Sequence, residues 1–175
     1  MGKAIAGKSS LTYRFINYNV PQETDPTIED RYKSSIKIDD KVYEVEILDT
    51  ADETDIQNLI DMWISFGEGF LLVFSINDYE SFEILKGRYN RIIKDKPGVA
   101  CPILLVGNQL DSTNERKIQY NEAKELADSW KINYMEVSTE TNYNCKEVFE
   151  YLAAEIVKSR NINALRSRRR KCIIM

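Results

Sequence analysis

A stretch near the start of the chain has the residue types that bind phosphate. Residues 2–9 read GKAIAGKS, in which two glycines precede Lys8 and Ser9. Glycines let backbone N–H groups approach phosphate oxygens, the lysine reaches the outer phosphates, and the serine hydroxyl can bind Mg²⁺. A match at four positions also occurs by chance at an ordinary helix start. Because the stretch SSLTYRF that begins at Ser9 predicts a helix, we favour a phosphate loop.

Polar side chains follow three predicted strands, at the edge where ligands gather in open α/β sheets. Asp49 follows one strand, Asn108 and Asp111 follow the apolar run PILLV, and EVSTE at 136–140 closes a third. Asp49 is either a helix cap or a ligand that holds Mg²⁺ through water. Asn108 and Asp111 are either turn residues or a purine site, since a carboxylate accepts two hydrogen bonds from guanine but finds no such pair on adenine.

Strand and helix signals alternate along the chain, which predicts an α/β fold. Residues 34–48 alternate apolar and polar around Asp39 and Asp40, as in an antiparallel hairpin. Continuous apolar runs predict parallel strands, buried on both faces, at 70–76 and 102–107. Helical spacing is found at 55–66, 78–94, 121–130 and 145–159, and a further strand at 132–138. We therefore expect a mostly parallel sheet with one antiparallel edge strand and helices on both faces.

The composition restricts the class of protein. A chain of 175 residues with 43% apolar and 30% charged residues fits one ordinary globular domain. Five cations lie beyond residue 161, and removing them from the formal net charge of −4 leaves −9, which argues against a nucleic-acid binder. The three scattered cysteines predict neither a zinc site nor a disulfide framework. The longest apolar run, FLLVF, is too short to span a bilayer.

Six motifs together carry a family resemblance. They are GKAIAGKS at 2–9, DPTIED at 25–30, DTA at 49–51, GEGFLLVFSI at 67–76, NQLD at 108–111 and STE at 138–140. In this order and spacing the chain resembles a Ras-family small GTPase of the Ras and Rap branch. The resemblance implies a P-loop NTPase fold, the Ras-like G domain, over residues 1–160, and a basic tail over 161–175.

The resemblance implies a site for GTP or GDP with Mg²⁺. Lys8 would bind the β- and γ-phosphates. Mg²⁺ would be coordinated by Ser9 and Thr27 and held through water by Asp49. The implied catalytic positions are Lys8, Thr27 and Glu53. The implied nucleotide-binding residues are Gly2, Lys3, Ala4, Ile5, Ala6, Gly7, Lys8, Ser9, Ser10, Thr27, Asp49, Asp52, Asn108, Gln109, Asp111, Ser138, Thr139 and Glu140.

A second implied surface would bind effector proteins when the γ-phosphate draws in Thr27. It comprises Asp25, Pro26, Thr27, Ile28, Glu29, Asp30 and Tyr32. Together with the nucleotide site, this surface implies a signalling switch that also meets exchange factors and GTPase-activating proteins.

Four residues depart from the family pattern and predict slow hydrolysis. Asp52 stands where the family has a glycine, and its charge would repel the γ-phosphate by ~1 to 4 kcal/mol at ~4 Å. Glu53 replaces the glutamine that orients the attacking water, and an ionised carboxylate cannot donate that hydrogen bond. Ala4 and Ile5 replace glycines, and Ala4 would crowd the water and an inserted arginine. These changes leave open a second function, a pseudo-GTPase that docks effectors without a nucleotide cycle. A third, another P-loop enzyme such as a kinase, is disfavoured by the NQLD motif and the effector loop.

The resemblance assigns guanine selection to Asn108 and Asp111, but the surrounding base site departs from the family. The substituted positions are Gln109 and Glu140 for two lysines, Thr139 for an alanine and Val20 for an aromatic side chain. Each loss is worth ~1 kcal/mol, the scale of one hydrogen bond or aromatic contact. We expect guanine specificity to persist with a lower affinity.

The chain ends in RSRRRKCIIM, which predicts prenylation of Cys172. A terminal methionine favours farnesyl over geranylgeranyl. One lipid chain anchors only marginally, so the basic run would add attraction to anionic lipid. Ala6 falls where a myristoylation signal needs Ser or Thr, which argues against that modification. We expect a lipid-anchored protein on the cytoplasmic face of a membrane, in the first place the plasma membrane.

The position of Gly2 raises a question about the sheet. Family members carry a central strand just before the first glycine, whereas only Met1 precedes Gly2 here. That strand lies between the one that ends at Asp49 and the FLLVFSI strand. Without it, both neighbours would expose backbone groups in the core. We therefore expect a truncated start rather than a chain with a gap in its sheet.

Overall fold

The computed structural model describes residues 1–17, 29–50, 57–97, 101–162 and 171–175 of the 175-residue chain. Its helices are α1 (Lys8–Asn17), α2 (Gln57–Phe66), α3 (Tyr79–Asp95), α4 (Tyr120–Trp130) and α5 (Cys145–Ile162). Its strands are β1 (Glu29–Ile38), β2 (Lys41–Thr50), β3 (Phe70–Ser75), β4 (Ile103–Asn108), β5 (Asn133–Glu136) and β6 (Lys171–Ile174). Two 3₁₀ turns cover Ala4–Ala6 and Leu110–Glu115. The α/β fold predicted from the sequence is confirmed.

The predicted hairpin is confirmed as β1 and β2. The two strands pair antiparallel from Glu29 opposite Thr50 to Ile38 opposite Lys41. Asp39 and Asp40 both have positive φ, 46° and 62°, as a two-residue turn of type I′ requires. Strand β2 is exposed at its start and buried from Ile47 to Thr50, so its far end runs into the core.

The predicted buried strands β3 and β4 are parallel and every residue in both is buried. Successive side chains alternate between two core layers because the side-chain period of a strand is two residues. Leu71 and Val73 pack with Leu11 of α1 and Phe149 of α5. On the other face, residues of β3 pack with α2, α3 and α4: Phe70, Leu72 and Phe74 meet Trp63, Phe82, Leu85 and Ala127. Helices therefore cover both faces of the sheet.

The place beside β2 is occupied by the C-terminal segment. Strand β6 pairs with β2 in parallel, with Val45 opposite Cys172 and Ile47 opposite Ile174. The next residue, Met175, then reaches β3: its N–H donates to the Gly69 carbonyl at 3.0 Å, and the Leu71 N–H donates to its carbonyl oxygen at 2.7 Å. No strand is predicted from the sequence at residues 171–174, where β6 lies.

Met1 also pairs with β3, at the residues that follow those bound by Met175. Its amino group donates to the Leu71 carbonyl, and its own carbonyl accepts from the Val73 N–H at 2.8 Å. Burial, reinforced by the Lys8 charge and partly offset by Asp49, lowers the pKa of this amine to about 4, so it donates as a neutral group. In the structure the backbone groups of Gly69, Leu71 and Val73 at this place are paired with Met175 and Met1. The expected truncated start stays a prediction.

The remaining differences between the predicted and the observed elements are in where the elements begin and end. Helix α5 extends to Ile162, past the predicted end at 159. Strand β5 covers only part of the predicted strand at 132–138. The division between a domain over 1–160 and a tail over 161–175 stays a prediction.

Candidate functional site

The phosphate-loop motif forms a compact turn that leads into α1. Its 3₁₀ turn, Ala4–Ala6, is followed by Gly7, and α1 begins at Lys8. Lys8 is only 8% exposed, and its ammonium donates to the Lys3 carbonyl at 3.1 Å. A Cβ on Gly2 would overlap the Val73 carbonyl, so this position needs glycine. The positive end of the α1 dipole and the Lys8 charge together make this end of the helix suited to phosphate.

Asp49, at the end of β2, is a buried carboxylate with an unmatched oxygen. It is 3% exposed, and its Oδ2 has no hydrogen-bond partner among the described residues. Burial raises the pKa of Asp49, while a hydrogen bond from Ser9 and the charge of Lys8 oppose that rise. A buried carboxylate oxygen beside a serine hydroxyl has the oxygen chemistry that Mg²⁺ prefers, so these residues fit the implied ion.

Asn108 joins the phosphate loop to the edge of the sheet. This residue ends β4 and is fully buried. Its Nδ2 donates to the Ala6 carbonyl at 3.0 Å, and its Oδ1 accepts from the Gln109 N–H at 2.8 Å. Gly7 has φ of 71°, and a Cβ there would meet Asn108 Nδ2. One side chain thus fixes the distance between the two motifs.

The predicted purine site forms an open pocket of 410 Å³ beside the phosphate loop. Asp111 accepts hydrogen bonds in this pocket from the hydroxyls of Ser138 and Ser112. Partial burial alone would raise the pKa of Asp111, but these bonds and a backbone hydrogen bond outweigh it and hold the pKa below its usual range. The pocket is lined by Ile5, Ser75, Asn77, Asp78, Gln109, Asp111, Ser112, Glu115, Thr139 and Glu140. It therefore presents an ionised carboxylate, as guanine recognition requires.

Two residues missed by the sequence analysis support this pocket. Arg14 of α1 donates from Nε to the Thr139 carbonyl at 2.6 Å and from Nη2 to the Glu140 carbonyl at 3.1 Å. Ser75, at the end of β3, donates to Gln109 Oε1. Ser75 lies in GEGFLLVFSI, where the sequence indicated only a buried strand. Arg14 lies 125 positions from Thr139, so no local signal could have identified its role.

The structure places Lys3 differently from the other lysine of the loop. Its ammonium forms ion pairs with Glu80 and, at 3.9 Å, with Asp78, both at the start of α3. Its carbonyl accepts from Lys8 and from the Ala6 N–H. Lys3 therefore shapes the loop through its backbone, while its side chain ties the loop to α3.

Other predicted site residues are only partly described. Thr27, Asp25, Pro26, Ile28, Asp52, Glu53 and Val20 lie outside the described residues, and only the backbone of Ala4, Glu29 and Cys172 is described. Ser10 lies in the first turn of α1, and Ile5 is 56% exposed at the pocket. Of the predicted effector residues, Asp30 is exposed on β1. Tyr32 is half-buried, with its ring edge-on to Tyr13 at 5.7 Å.

No helix in the described ranges is long and apolar enough to cross a membrane. Within the same ranges, no three His, Cys, Asp or Glu side chains group as a metal cluster.

A glycine-rich turn that leads into a helix, a buried carboxylate at a strand end and a pocket with a second carboxylate, all at one sheet edge, are typical of P-loop nucleotide-binding proteins. The Ras family model matches residues 1–158. The Ras-like protein RAS2 of Hydra vulgaris is 37% identical over 179 residues, covering 100% of this chain and 93% of that protein. The Ras-like protein rasX of Dictyostelium discoideum is 40% identical over 85% of this chain and 70% of its own length. This chain belongs to the Ras family, whose members are GTP-binding switch proteins with GTPase activity.

Proposed function

We propose that this chain is a membrane-anchored signalling switch that binds GTP or GDP with Mg²⁺ and hydrolyses GTP slowly. One observation supports the nucleotide site most directly. Asp49 is buried beside Ser9 and Lys8, and its Oδ2 has no hydrogen-bond partner among the described residues. An isolated carboxylate in such a place is costly, and a cation with its phosphate ligand would remove that cost.

Each part of the site has a separate task. Lys8 and the N-terminus of α1 would bind the phosphates. Ser9 and Asp49, with Thr27, would hold Mg²⁺, which when bound neutralises charge on the phosphate oxygens. Asp111 would accept the two N–H groups of guanine.

Slow hydrolysis is supported by the residue types at positions 4, 52 and 53. Glu53 cannot donate a hydrogen bond when ionised, and Asp52 adds negative charge where the γ-phosphate would lie. Ala4 stands where the family usually has a glycine, and by that resemblance a side chain at this position would crowd the attacking water and an arginine supplied by a GTPase-activating protein. Intrinsic and stimulated turnover should therefore both be low.

The proposed partners follow from two other parts of the chain. The exposed Asp30 is available to an effector, as the resemblance of residues 25–32 to an effector loop requires. Prenylation of Cys172 beside Arg168, Arg169 and Arg170 would place the protein on anionic membrane, on the cytoplasmic face.

A second candidate is an effector-docking module with weak or no nucleotide cycle. It is favoured by the acidic lining of the base pocket, where Asp78, Glu115 and Glu140 accompany Asp111. Each extra carboxylate would repel the nucleotide phosphates and reduce affinity.

One assay separates the two candidates. The purified protein is loaded with γ-labelled GTP and Mg²⁺, and both bound nucleotide and released phosphate are followed. We expect retention with slow release for the switch, and a Glu53→Gln variant should release phosphate faster. Absence of measurable GTP and GDP binding would exclude the switch and leave the docking module.

A separate experiment tests the anchor. Substituting Cys172→Ser in the full chain should move the protein from the membrane fraction to the cytosol. Cys101→Ser is the matched control, because that thiol lies far from the tail in sequence and should leave the distribution unchanged. Persistent membrane association of the Cys172 variant would contradict prenylation as the anchor.

A further inference from the structure

A largely buried ion pair lies behind the base pocket and joins the two segments that form it. Arg116 follows the 3₁₀ turn that carries Asp111, and Glu136 is the last residue of β5. The described lining of the pocket includes neither side chain. We propose that this pair positions the guanine-binding groups by holding the Asp111 turn in place against the loop at 138–140. The proposal rests on the guanine-nucleotide binding proposed above.

The ion pair is bidentate. Arg116 donates from Nη1 to Glu136 Oε1 and from Nη2 to Glu136 Oε2, each at 2.8 Å. The side chains of Arg116 and Glu136 are only 14% and 11% exposed. Two parallel N–H···O bonds fix the orientation of both partners as well as their distance, which a contact between point charges does not. The pair can therefore hold two chain segments in one arrangement.

Tyr134, on the same strand as Glu136, adds a third hydrogen bond to the carboxylate. Its hydroxyl donates to Glu136 Oε1 at 2.7 Å, and its buried ring stacks on Phe74 with the ring centroids 6.1 Å apart. A Cβ on Gly107 of β4 would lie 2.6 Å from Tyr134 Oη, so the absence of a side chain there leaves room for this hydroxyl. The Glu136 carboxylate is therefore fixed by donors from two directions.

The two segments joined by the pair carry the groups that would contact the base. On the pocket side, the Leu110 N–H donates to the Val137 carbonyl at 3.1 Å, and the Ser138 hydroxyl donates to Asp111. Arg116 joins the same two segments behind the pocket. The direction of the Asp111 carboxylate therefore depends on contacts at both places.

Guanine recognition should be sensitive to this direction, because Asp111 would accept one hydrogen bond from the ring N–H and one from the amino group. Inosine diphosphate (IDP) lacks the amino group and would form only the first. The preference for GDP over IDP therefore measures how well the carboxylate is placed, whereas pyrophosphate binding does not involve it. We expect a preference of about 10- to 100-fold in the unmodified chain, the worth of one hydrogen bond to a charged group.

A double variant, Arg116→Met with Glu136→Gln, removes the ion pair. It leaves no unpaired charge buried, and the glutamine can still accept from Tyr134, so the fold should be kept. We expect the preference for GDP over IDP to fall about fivefold, with less than about twofold change in pyrophosphate affinity. Arg160→Ala is the matched control and should keep the preference of the unmodified chain. Arg160 donates two hydrogen bonds to Glu68, which lies before the start of β3, at the opposite edge of the sheet from the pocket.

Arg116→Lys tests whether the geometry of the pair matters beyond its charge. Lysine keeps the charge but cannot form the two parallel bonds. We expect a preference for GDP over IDP between those of the unmodified chain and the double variant. The proposal would be overturned if all three proteins had the same preference. It would also be overturned if the double variant lost GDP, IDP and pyrophosphate affinity equally, since that would show a general loss of structure.

Amide hydrogen exchange tests the positioning role without nucleotide. In the double variant, peptides covering 110–116 and 137–144 should exchange about tenfold faster, while peptides of α3 should be unchanged. Unchanged exchange in both segments would contradict the proposal. A protein that binds no guanine nucleotide would instead exclude the function proposed above, and the exchange rates would still decide whether the ion pair holds the two segments.

Discussion

The two ends of the candidate site are built in different ways. The base end is an open pocket, and its loops are held by side-chain hydrogen bonds of Arg14 and Ser138. At the phosphate end Lys8 and Asp49 are buried, and Asn108 holds the loop through its hydrogen bond to the Ala6 carbonyl. The difference teaches that the two ends use separate charged groups, although Asn108 links them.

The largest effect is expected at the phosphate end itself. Lys8→Ala should weaken binding of GDP by about 10²- to 10³-fold, because it removes a buried charge that would face the phosphates. Lys3→Ala is the matched control and should change affinity by less than about threefold, since its ammonium forms partly exposed ion pairs with α3. Fluorescent-nucleotide titration measures both, and equal losses would contradict the separate roles of the two lysines.

The rigidity of the base end is open to a pH test at Cys145. This buried thiol donates to the Ser138 carbonyl at 3.2 Å, and burial raises its pKa to about 11. At pH 8 the thiolate fraction should therefore be about 100-fold lower than for a thiol at the ordinary pKa of 9.0. Alkylation should accelerate about tenfold for each pH unit between 8 and 10.

Mass spectrometry of iodoacetamide-treated protein measures that rate at Cys145. The unfolded protein in urea is the reference. Equal alkylation rates of Cys145 in the folded and the unfolded protein would show that the base end opens readily, which would contradict its rigidity.

The effect of the buried Met175 on stability should be intermediate. Met175→Ala should lower the free energy of unfolding by ~2 to 3 kcal/mol, because Met175 is 3% exposed and its truncation leaves a cavity beside Phe70 and Trp63. Ile93→Ala, at a residue that is 50% exposed, should cost less than ~0.5 kcal/mol. Urea unfolding of both variants gives the comparison, and a Met175 variant as stable as the control would argue against burial of this side chain.

The smallest effect is expected at Arg14. Arg14→Ala should speed dissociation of GDP by about five- to tenfold, since two hydrogen bonds to the Thr139 and Glu140 carbonyls are lost. Pyrophosphate binding should not change, because it does not use the base pocket. Stopped-flow measurement distinguishes the two, and an equal loss for both ligands would show that Arg14 supports the whole site.

The turns, buried strands and helices of this fold could be predicted from local sequence patterns. The Asp39–Asp40 turn, the buried strand at 70–75 and the helices at 79–95 and 145–162 follow from turn preference and hydrophobic period. The motif residues of the site followed from a family pattern with fixed spacing. The first kind of prediction needs only neighbouring residues, and the second needs six short motifs in a fixed order.

Other parts of the fold and of the site depend on contacts between residues far apart in the sequence, which local patterns do not predict. Cys172 pairs with Val45 in the sheet, and no pattern within the last residues of the chain predicts that pairing. Prenylation of Cys172 stays a prediction. Arg14 and Ser75 acquire their roles only when separate elements meet. The roles of Asp52 and Glu53 remain predictions, as those residues lie outside the described ranges.

The Asp39–Asp40 turn described above also shows where the chain would accept an added segment. Both aspartates are exposed, and the turn lies at the opposite end of the β1–β2 hairpin from Asp49. Exposed loop tips of this kind tolerate insertions well. A peptide tag inserted between Asp39 and Asp40 would therefore label the folded protein without touching the candidate site.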